Sequence, residues 1–325
     1  MSRPGEGSGA AEIVFDRVTK HYPGRDTPAL DDVSLEIPAG TFCILVGPSG
    51  GGKTTALKMI NGLVPFDDGG DIRIDGRSIR DLPLVELRRG IGYVIQQIGL
   101  FPHMSVGENV ATVPRLLGWP KARIRERTAE LLELVGLEAA DGRRYPSQLS
   151  GGQRQRVGLA RALAADPPIL LMDEPFGALD PITRLRLQDE LRRLHRDVGK
   201  TIVFVTHDVD EAILLGDRIA ILRQGGVLAQ YDTPDAILAR PADDFVRQFV
   251  GEDRALRRLA LRTLADAELA PLGSAPSEPT DRLERTVSVR NAVSRLLESG
   301  AASLVVVDGD REVGLFTLDV AEQLL

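Results

Sequence analysis

Eight consecutive residues, Gly47-Pro-Ser-Gly-Gly-Gly-Lys-Thr54, carry the first chemical signal in this chain. They fit the spacing G-x-x-x-x-G-K-[ST] and follow directly on the apolar run Phe42-Cys-Ile-Leu-Val46. Glycines at this density let several backbone N–H groups turn inward and form a nest for phosphate oxygens. The segment from Thr54 to Asn61 reads as a helix, whose N-terminal dipole favours the same negative charge. Gly47, Pro48, Ser49, Gly50, Gly51 and Gly52 therefore form a candidate phosphate cradle, with Thr55 beside it at the helix start. Lys53 is placed to reach the β- and γ-phosphates of a nucleotide, and the Thr54 hydroxyl to coordinate Mg²⁺. The chemistry predicted is ATP binding with Mg²⁺.

A second chemical element lies at Ile169-Leu-Leu-Met-Asp173-Glu174. An apolar run ending in a carboxylate describes a buried strand that delivers Asp173 to the carboxyl edge of a sheet, where a metal ion sits beside a phosphate loop. Glu174, one residue further, is placed to orient or deprotonate an attacking water. A third element, Leu149-Ser150-Gly151-Gly152-Gln153, opens a predicted helix over Gln153 to Ala165, with Ser150 as its N-cap. Its glycines also permit close approach of an anion. One nucleotide needs one cradle, so the economical reading gives the second to a nucleotide held by another subunit.

The elements that must position these groups follow from the alternation of apolar strands and helical segments across residues 12–250, the pattern of an α/β domain. Strands are predicted at Ile13–Phe15, Val33–Ile37, Phe42–Val46, Ile72–Ile74, Ile91–Ile95, Ile169–Met172, Thr201–Val205, Arg218–Leu222 and Val227–Tyr231. Residues 1–11 read as a disordered leader, 251–285 as a linker ending in a Pro/Ser-rich stretch, and 286–325 as a small α/β unit. In that unit Thr286–Val289, Ser303–Val307 and Val313–Thr317 read as strands, Asn291–Ser299 and Leu318–Leu325 as helices, and Asp308-Gly-Asp310 as a hairpin turn.

Composition narrows the class. A chain of 325 residues with 43% apolar and 27% charged residues accommodates one large globular domain and a small one. Its single cysteine, Cys43, falls in the apolar strand before the phosphate loop, which predicts a buried reduced thiol and neither disulfides nor a zinc site. No apolar run approaches the roughly 18 residues that span a bilayer, so no direct membrane insertion is expected and any membrane role must go through a partner. The leader lacks a signal-peptide core, and the expected location is cytoplasmic. A net charge of −7 argues against nucleic acid as a partner.

On these motifs, residues 12–250 resemble the ATP-binding subunit of an ABC transporter. The Leu149–Gln153 pentapeptide is similar to that family's signature motif, and further similarities fall in family order. Tyr22 resembles the aromatic that stacks on adenine; Gln96 resembles the Q-loop glutamine that touches Mg²⁺ or water. Ala178-Leu-Asp180 resembles the D-loop, which crosses to the partner subunit, and His207 resembles the switch histidine that contacts the γ-phosphate. The resemblance implies a P-loop NTPase fold of the ABC ATPase type: a RecA-like core, an antiparallel β subdomain, and a helical subdomain at about residues 97–165. It also implies catalytic roles for Glu174, His207, Gln96 and Lys53, and a metal set of Thr54, Gln96 and Asp173. Two copies would pair head to tail, with Ser150, Gly151, Gly152, Gln153 and Asp180 serving the partner's ATP in trans. Integral permease subunits, and through them a substrate-binding protein, are the implied partners, at the cytoplasmic face of the membrane.

The stretches Ile95–Met104, Glu108–Pro114 and Phe249–Arg254 resemble importers of quaternary amines such as glycine betaine, choline or carnitine. An importer for another small solute, a polyamine, sulfate or a sugar, is the alternative. The tail at 286–325 resembles a CBS module, present once instead of as a tandem pair. Either two chains supply one half each, or the regulatory site is degenerate. A DNA-repair ATPase of the same superfamily needs a long coiled coil between phosphate loop and signature, and a translation factor needs two ATP domains; this chain has neither.

Overall fold

The structure is a computed structural model that describes residues 9–96, 99–177, 179–273 and 281–324. Most of the expected leader, Gln97 and Ile98 beside Gln96, Ala178 of the expected D-loop, residues 274–280 of the Pro/Ser stretch and Leu325 lie outside the described residues. The strands are β1 (Ile13–Lys20), β2 (Leu30–Ile37), β3 (Phe42–Val46), β4 (Asp71–Ile74), β5 (Arg77–Ser78), β6 (Ile91–Val94), β7 (Ile169–Asp173), β8 (Thr201–Val205), β9 (Arg218–Leu222), β10 (Leu228–Asp232), β11 (Arg282–Glu284), β12 (Leu304–Asp308) and β13 (Arg311–Phe316).

They build three sheets. A six-stranded sheet runs β10-β9-β3-β8-β7-β6, and β3 pairs parallel with both β8 and β9, as β7 does with β8 and β6. Every residue of β3, β7 and β8 is buried, as continuous apolar runs covered on both faces require. A four-stranded sheet, β2-β1-β4-β5, pairs antiparallel, and β2 shows the alternating burial of a sheet with one wet face. One apolar core joins the two sheets, with Ile13 and Ile37 from the antiparallel sheet meeting Leu45, Leu171 and Val203 from the parallel one. Burying each such side chain contributes roughly 1.5–3 kcal/mol. Between β6 and β7 the described chain is helical, with helices at Val106–Val110, Thr112–Leu116, Lys121–Leu134 and Gly151–Leu163. The parallel core, the antiparallel β part and the helical part are the three parts expected from the sequence.

The chain divides into two compact units at Tyr231/Asp232, ahead of the boundary at 250 read from the sequence. In the second unit β11 pairs parallel with β12 across the helix Val289–Ser299, and β12 pairs antiparallel with β13. The β-α-β-β-α order is the one expected, but its first strand is Arg282–Glu284 and not Thr286–Val289. Ser288 instead accepts a hydrogen bond from Asn291 N–H and caps the helix, which places Val289 in the core. The stretch 251–273 contributes to the same core, where Leu259 and Leu264 pack with Val289, Leu304 and Phe316.

Candidate functional site: the carboxyl edge of the parallel sheet

Parallel strands β3, β6, β7 and β8 all end at one edge of the sheet, and the residues that follow them are those singled out by the sequence: Gly47, Gln96, Glu174 and His207. The carboxyl edge of an open parallel sheet is where α/β proteins bind ligands, because each strand delivers a loop there.

The loop after β3 is built on glycine. Gly47, Gly50 and Gly52 hold φ of 151°, 82° and 82°. A Cβ on Gly47 would sit 2.0 Å from the Leu222 carbonyl oxygen, and one on Gly52 would sit 2.1 Å from that of Ala29. The positions therefore demand glycine for conformation and space alike. Helix Lys53–Ile60 follows, anchored by buried Ala56, Leu57, Met59 and Ile60. Lys53 Nζ donates to the carbonyls of Gly47 at 2.7 Å and Pro48 at 2.9 Å, curling its side chain back over the loop. Burial lowers the Lys53 pKa, and the Glu174 and Asp173 carboxylates oppose that shift. A glycine cradle, a helix N-terminus and a buried ammonium are the donor set that a nucleotide's phosphates require.

Thr54 Oγ1 donates to Asp173 Oδ1 at 2.8 Å, which joins the start of the helix to the end of β7. Asp173 is 5% exposed, and burial raises its pKa while the Thr54 hydrogen bond opposes the shift. A hydroxyl and a buried carboxylate in contact form an all-oxygen donor pair suited to a hard cation such as Mg²⁺. Glu174 turns the chain sharply, at a φ of 43°, and its N–H is fixed to the Val205 carbonyl at 3.0 Å. Its Oε2 accepts from Gln96 Nε2 at 3.1 Å and lies 3.4 Å from His207 Nδ1. Three strand ends thus meet on one carboxylate.

Other candidates stand apart from this cluster. Among the described residues no hydrogen bond or ion pair links Ser150–Gln153 to residues 47–55. Ser150 caps the helix Gly151–Leu163 by accepting from Gln153 N–H at 3.2 Å, and its own N–H donates to Gln153 Oε1 at 3.0 Å. Asp180 likewise accepts from Thr183 N–H at 3.1 Å and caps the helix Pro181–Val198; hydrogen bonds with Thr183 lower its pKa. Tyr22 is half-buried, with the Lys20 ammonium 5.4 Å over its ring. Ser49 is exposed and Thr55 half-buried on the helix's first turn. Of the remaining histidines, His21 bonds Asp67 at 2.8 Å and His195 meets the Gly40 carbonyl at 3.0 Å.

The structure adds residues that the sequence reading did not single out. Gln155 is 6% exposed and its amide donates to the carbonyl of Pro175, next to Glu174. A polar residue on the buried face of an apolar-striped helix is the signal that could have found it. Glu211, 7% exposed, accepts from Thr206 Oγ1 at 2.6 Å and Gln188 Nε2 at 3.1 Å just behind His207.

Comparison with known proteins places this geometry in a family. The ABC transporter family profile matches residues 30–177. The chain is 50% identical over 297 residues to the glycine betaine uptake system ATP-binding protein YehX of Escherichia coli K12, covering 91% of this chain and 94% of that one. It is 46% identical over 302 residues to the osmoprotectant import ATP-binding protein OsmV of Salmonella typhimurium, covering 92% of this chain and 77% of the other. The fold matches the dimeric, ADP- and phosphate-bound ATP-binding cassette MJ0796 with a TM-score of 0.61 at 38% identity, over 68% of this chain and 98% of that one. The chain therefore belongs to the ABC transporter family, as an ATP-binding and ATP-hydrolysing subunit.

Proposed function

We propose that this chain powers import of a quaternary amine osmoprotectant, such as glycine betaine, choline or carnitine, by hydrolysing ATP at the carboxyl edge of its parallel sheet. The observation that carries the site is the meeting of Gln96, Glu174 and His207 beside the Lys53 cradle. The substrate rests on relatives that match over nine-tenths of the chain, including its second unit.

In this reading Gly47–Gly52 with Thr55 hold the phosphates through backbone N–H groups, and Tyr22 stacks on the adenine. Lys53 leaves the Gly47 and Pro48 carbonyls for the β- and γ-phosphates, a move its flexible stem allows. Glu174 accepts the proton of the attacking water, and its partners orient that carboxylate: Gln96 from one side, His207 from the other. Thr54, Gln96 and Asp173 would hold Mg²⁺, which when bound neutralises charge on the phosphate oxygens. Among the described residues no hydrogen bond or ion pair ties Ser150–Gln153 or Asp180 to the cluster, which supports their use on a second copy's nucleotide, in a head-to-tail pair. Such a pair forms with the γ-phosphate present and loosens on its loss, and this cycle drives permease subunits, fed by a substrate-binding protein, at the cytoplasmic face of the membrane. Among the described residues no helix is long and apolar enough to cross a membrane; in this reading the chain attaches through the permease subunits.

The test is uptake of labelled glycine betaine, choline and carnitine beside a polyamine and a sugar, in cells lacking the gene and complemented with wild type or Glu174→Gln. Quaternary amine uptake restored by wild type alone is the expected result, and restoration of another solute discards the substrate. The purified Glu174→Gln variant should bind ATP and accumulate as a dimer without turnover, while Ser150→Arg should lose hydrolysis but keep nucleotide binding by the monomer.

A further inference from the structure

Behind His207 lies a polar cluster that the chemistry above does not use. Arg184 sits in the first turns of the helix Pro181–Val198, which Asp180 opens. Its Nη2 donates to the Leu179 carbonyl at 3.3 Å, one residue before Asp180. On its other side Nη1 lies 3.7 Å from Asp208 Oδ2, and Nε lies 3.9 Å from Glu211 Oε1. Nε is buried without a hydrogen-bond partner, so this end of the guanidinium is held by charge. Asp208 follows His207 directly and caps the helix Val209–Leu215, accepting from Asp210 N–H at 2.8 Å and Glu211 N–H at 3.2 Å. Glu211 in turn holds the Thr206 hydroxyl at 2.6 Å, on the other side of His207. One guanidinium therefore spans from the backbone beside Asp180 to both acids that fix the turn carrying His207. A planar, always-charged fork suits such a bridge, and a lysine's single ammonium cannot serve both ends at once.

We propose that Arg184 is a positioning residue that locks the Leu179–Asp180 segment to the Thr206–Asp208 turn, so that docking of Asp180 on a second copy and placement of His207 in its own site occur together. The inference rests on the head-to-tail reading given above. It assigns Arg184 to turnover and not to nucleotide binding, since none of its partners lies in the Gly47–Thr55 cradle.

The experiment measures steady-state hydrolysis and ATP binding for the full chain as wild type, Arg184→Ala, Asp208→Asn and the double variant. Asn keeps the helix cap at position 208 while removing the charge that faces Arg184. Arg184→Ala should lower kcat about 10- to 100-fold, the cost of a misplaced group near the chemistry. KM for ATP should stay within about twofold of wild type. Asp208→Asn should lower kcat in the same sense, and the double variant should be no slower than Arg184→Ala, because both remove one link. If Arg184→Ala does not fold, Arg184→Lys replaces it, with a lowered kcat and unchanged KM expected. The proposal is overturned by a wild-type kcat, by an affinity loss matching the kcat loss, or by single-variant losses that multiply in the double. A Ser150→Arg control run alongside separates the two failures: wild-type turnover in that variant overturns the head-to-tail reading itself.

Discussion

At the scale of single residues, the site is organised by Glu174. Its left-handed backbone, unusual for a residue with a side chain, aims the carboxylate across β8 and β6, where His207 and Gln96 meet it. Such a conformation costs roughly 1–3 kcal/mol and persists only when neighbours over-determine it. Here the fastening of its N–H to Val205 and of the next carbonyl to Gln155 supplies that constraint. Cys43 shows the opposite use of burial. It is fully buried in β3, and burial pushes its thiol pKa up to about 12, an effect that the neighbouring Tyr231 side chain opposes. An unfolded thiol ionises near pH 8.5, so the folded state holds a proton that the unfolded state releases above that value. The stability this contributes is complete below the unfolded pKa and is lost as pH rises toward about 12. At pH 9 a thiol reagent should leave native protein unmodified and label it one-to-one in denaturant; fast labelling of native protein would contradict the buried assignment.

At the scale of elements, the glycine loop after β3 is held in shape by β9 and the Ala29 backbone, which close around it. Gly52→Ala forces a Cβ to 2.1 Å from the Ala29 oxygen at a φ of 82°. It should cost about 2 kcal/mol or more, since both conformation and space are wrong for alanine. A denaturant midpoint unchanged from wild type is the result that refutes this account. Core strands were legible in the sequence: Phe42–Val46, Thr201–Val205 and Arg218–Leu222 fall where the apolar runs put them. The outer strands were underestimated. β1 extends to Lys20 and β2 begins at Leu30, because bulged antiparallel pairing carries both beyond their apolar centres. The first strand of the tail was displaced by a competing signal. Ser288 serves as a helix cap, and a β-branched valine beside it can occupy a strand or a buried helix start.

At the scale of the whole molecule, the two compact units have cores that share no residue. Ile13, Leu45 and Val203 anchor one, while Leu296, Val306 and Phe316 anchor the other. Phe316 is fully buried, and Phe316→Ala should cost its unit about 3–5 kcal/mol. Hydrogen exchange should then speed up across residues 281–324 while amides of β3, β7 and β8 keep their protection. Loss of protection throughout the chain would contradict two separate cores. In the first unit each motif that carries the family resemblance is a short contiguous stretch of the chain. The tail lacks such motifs, and its recruitment of Leu259 and Leu264 from the expected linker depends on packing that no local pattern encodes.

By itself the sequence determined what depends on adjacent residues: the glycine cradle with Lys53 and Thr54, the Asp173-Glu174 pair, the Ser150–Gln153 cap and the apolar strands that carry them. Short-range rules govern these features, since φ preferences, N-caps and strand burial each act over a few residues. Tertiary structure alone decided that Gln96, Glu174 and His207 share one carboxylate, that Thr54 bonds Asp173, and that Arg184 ties the Asp180 segment to the turn behind His207. These pairs lie many residues apart in the chain, and only the parallel order of β3, β8, β7 and β6 brings their strand ends to one edge.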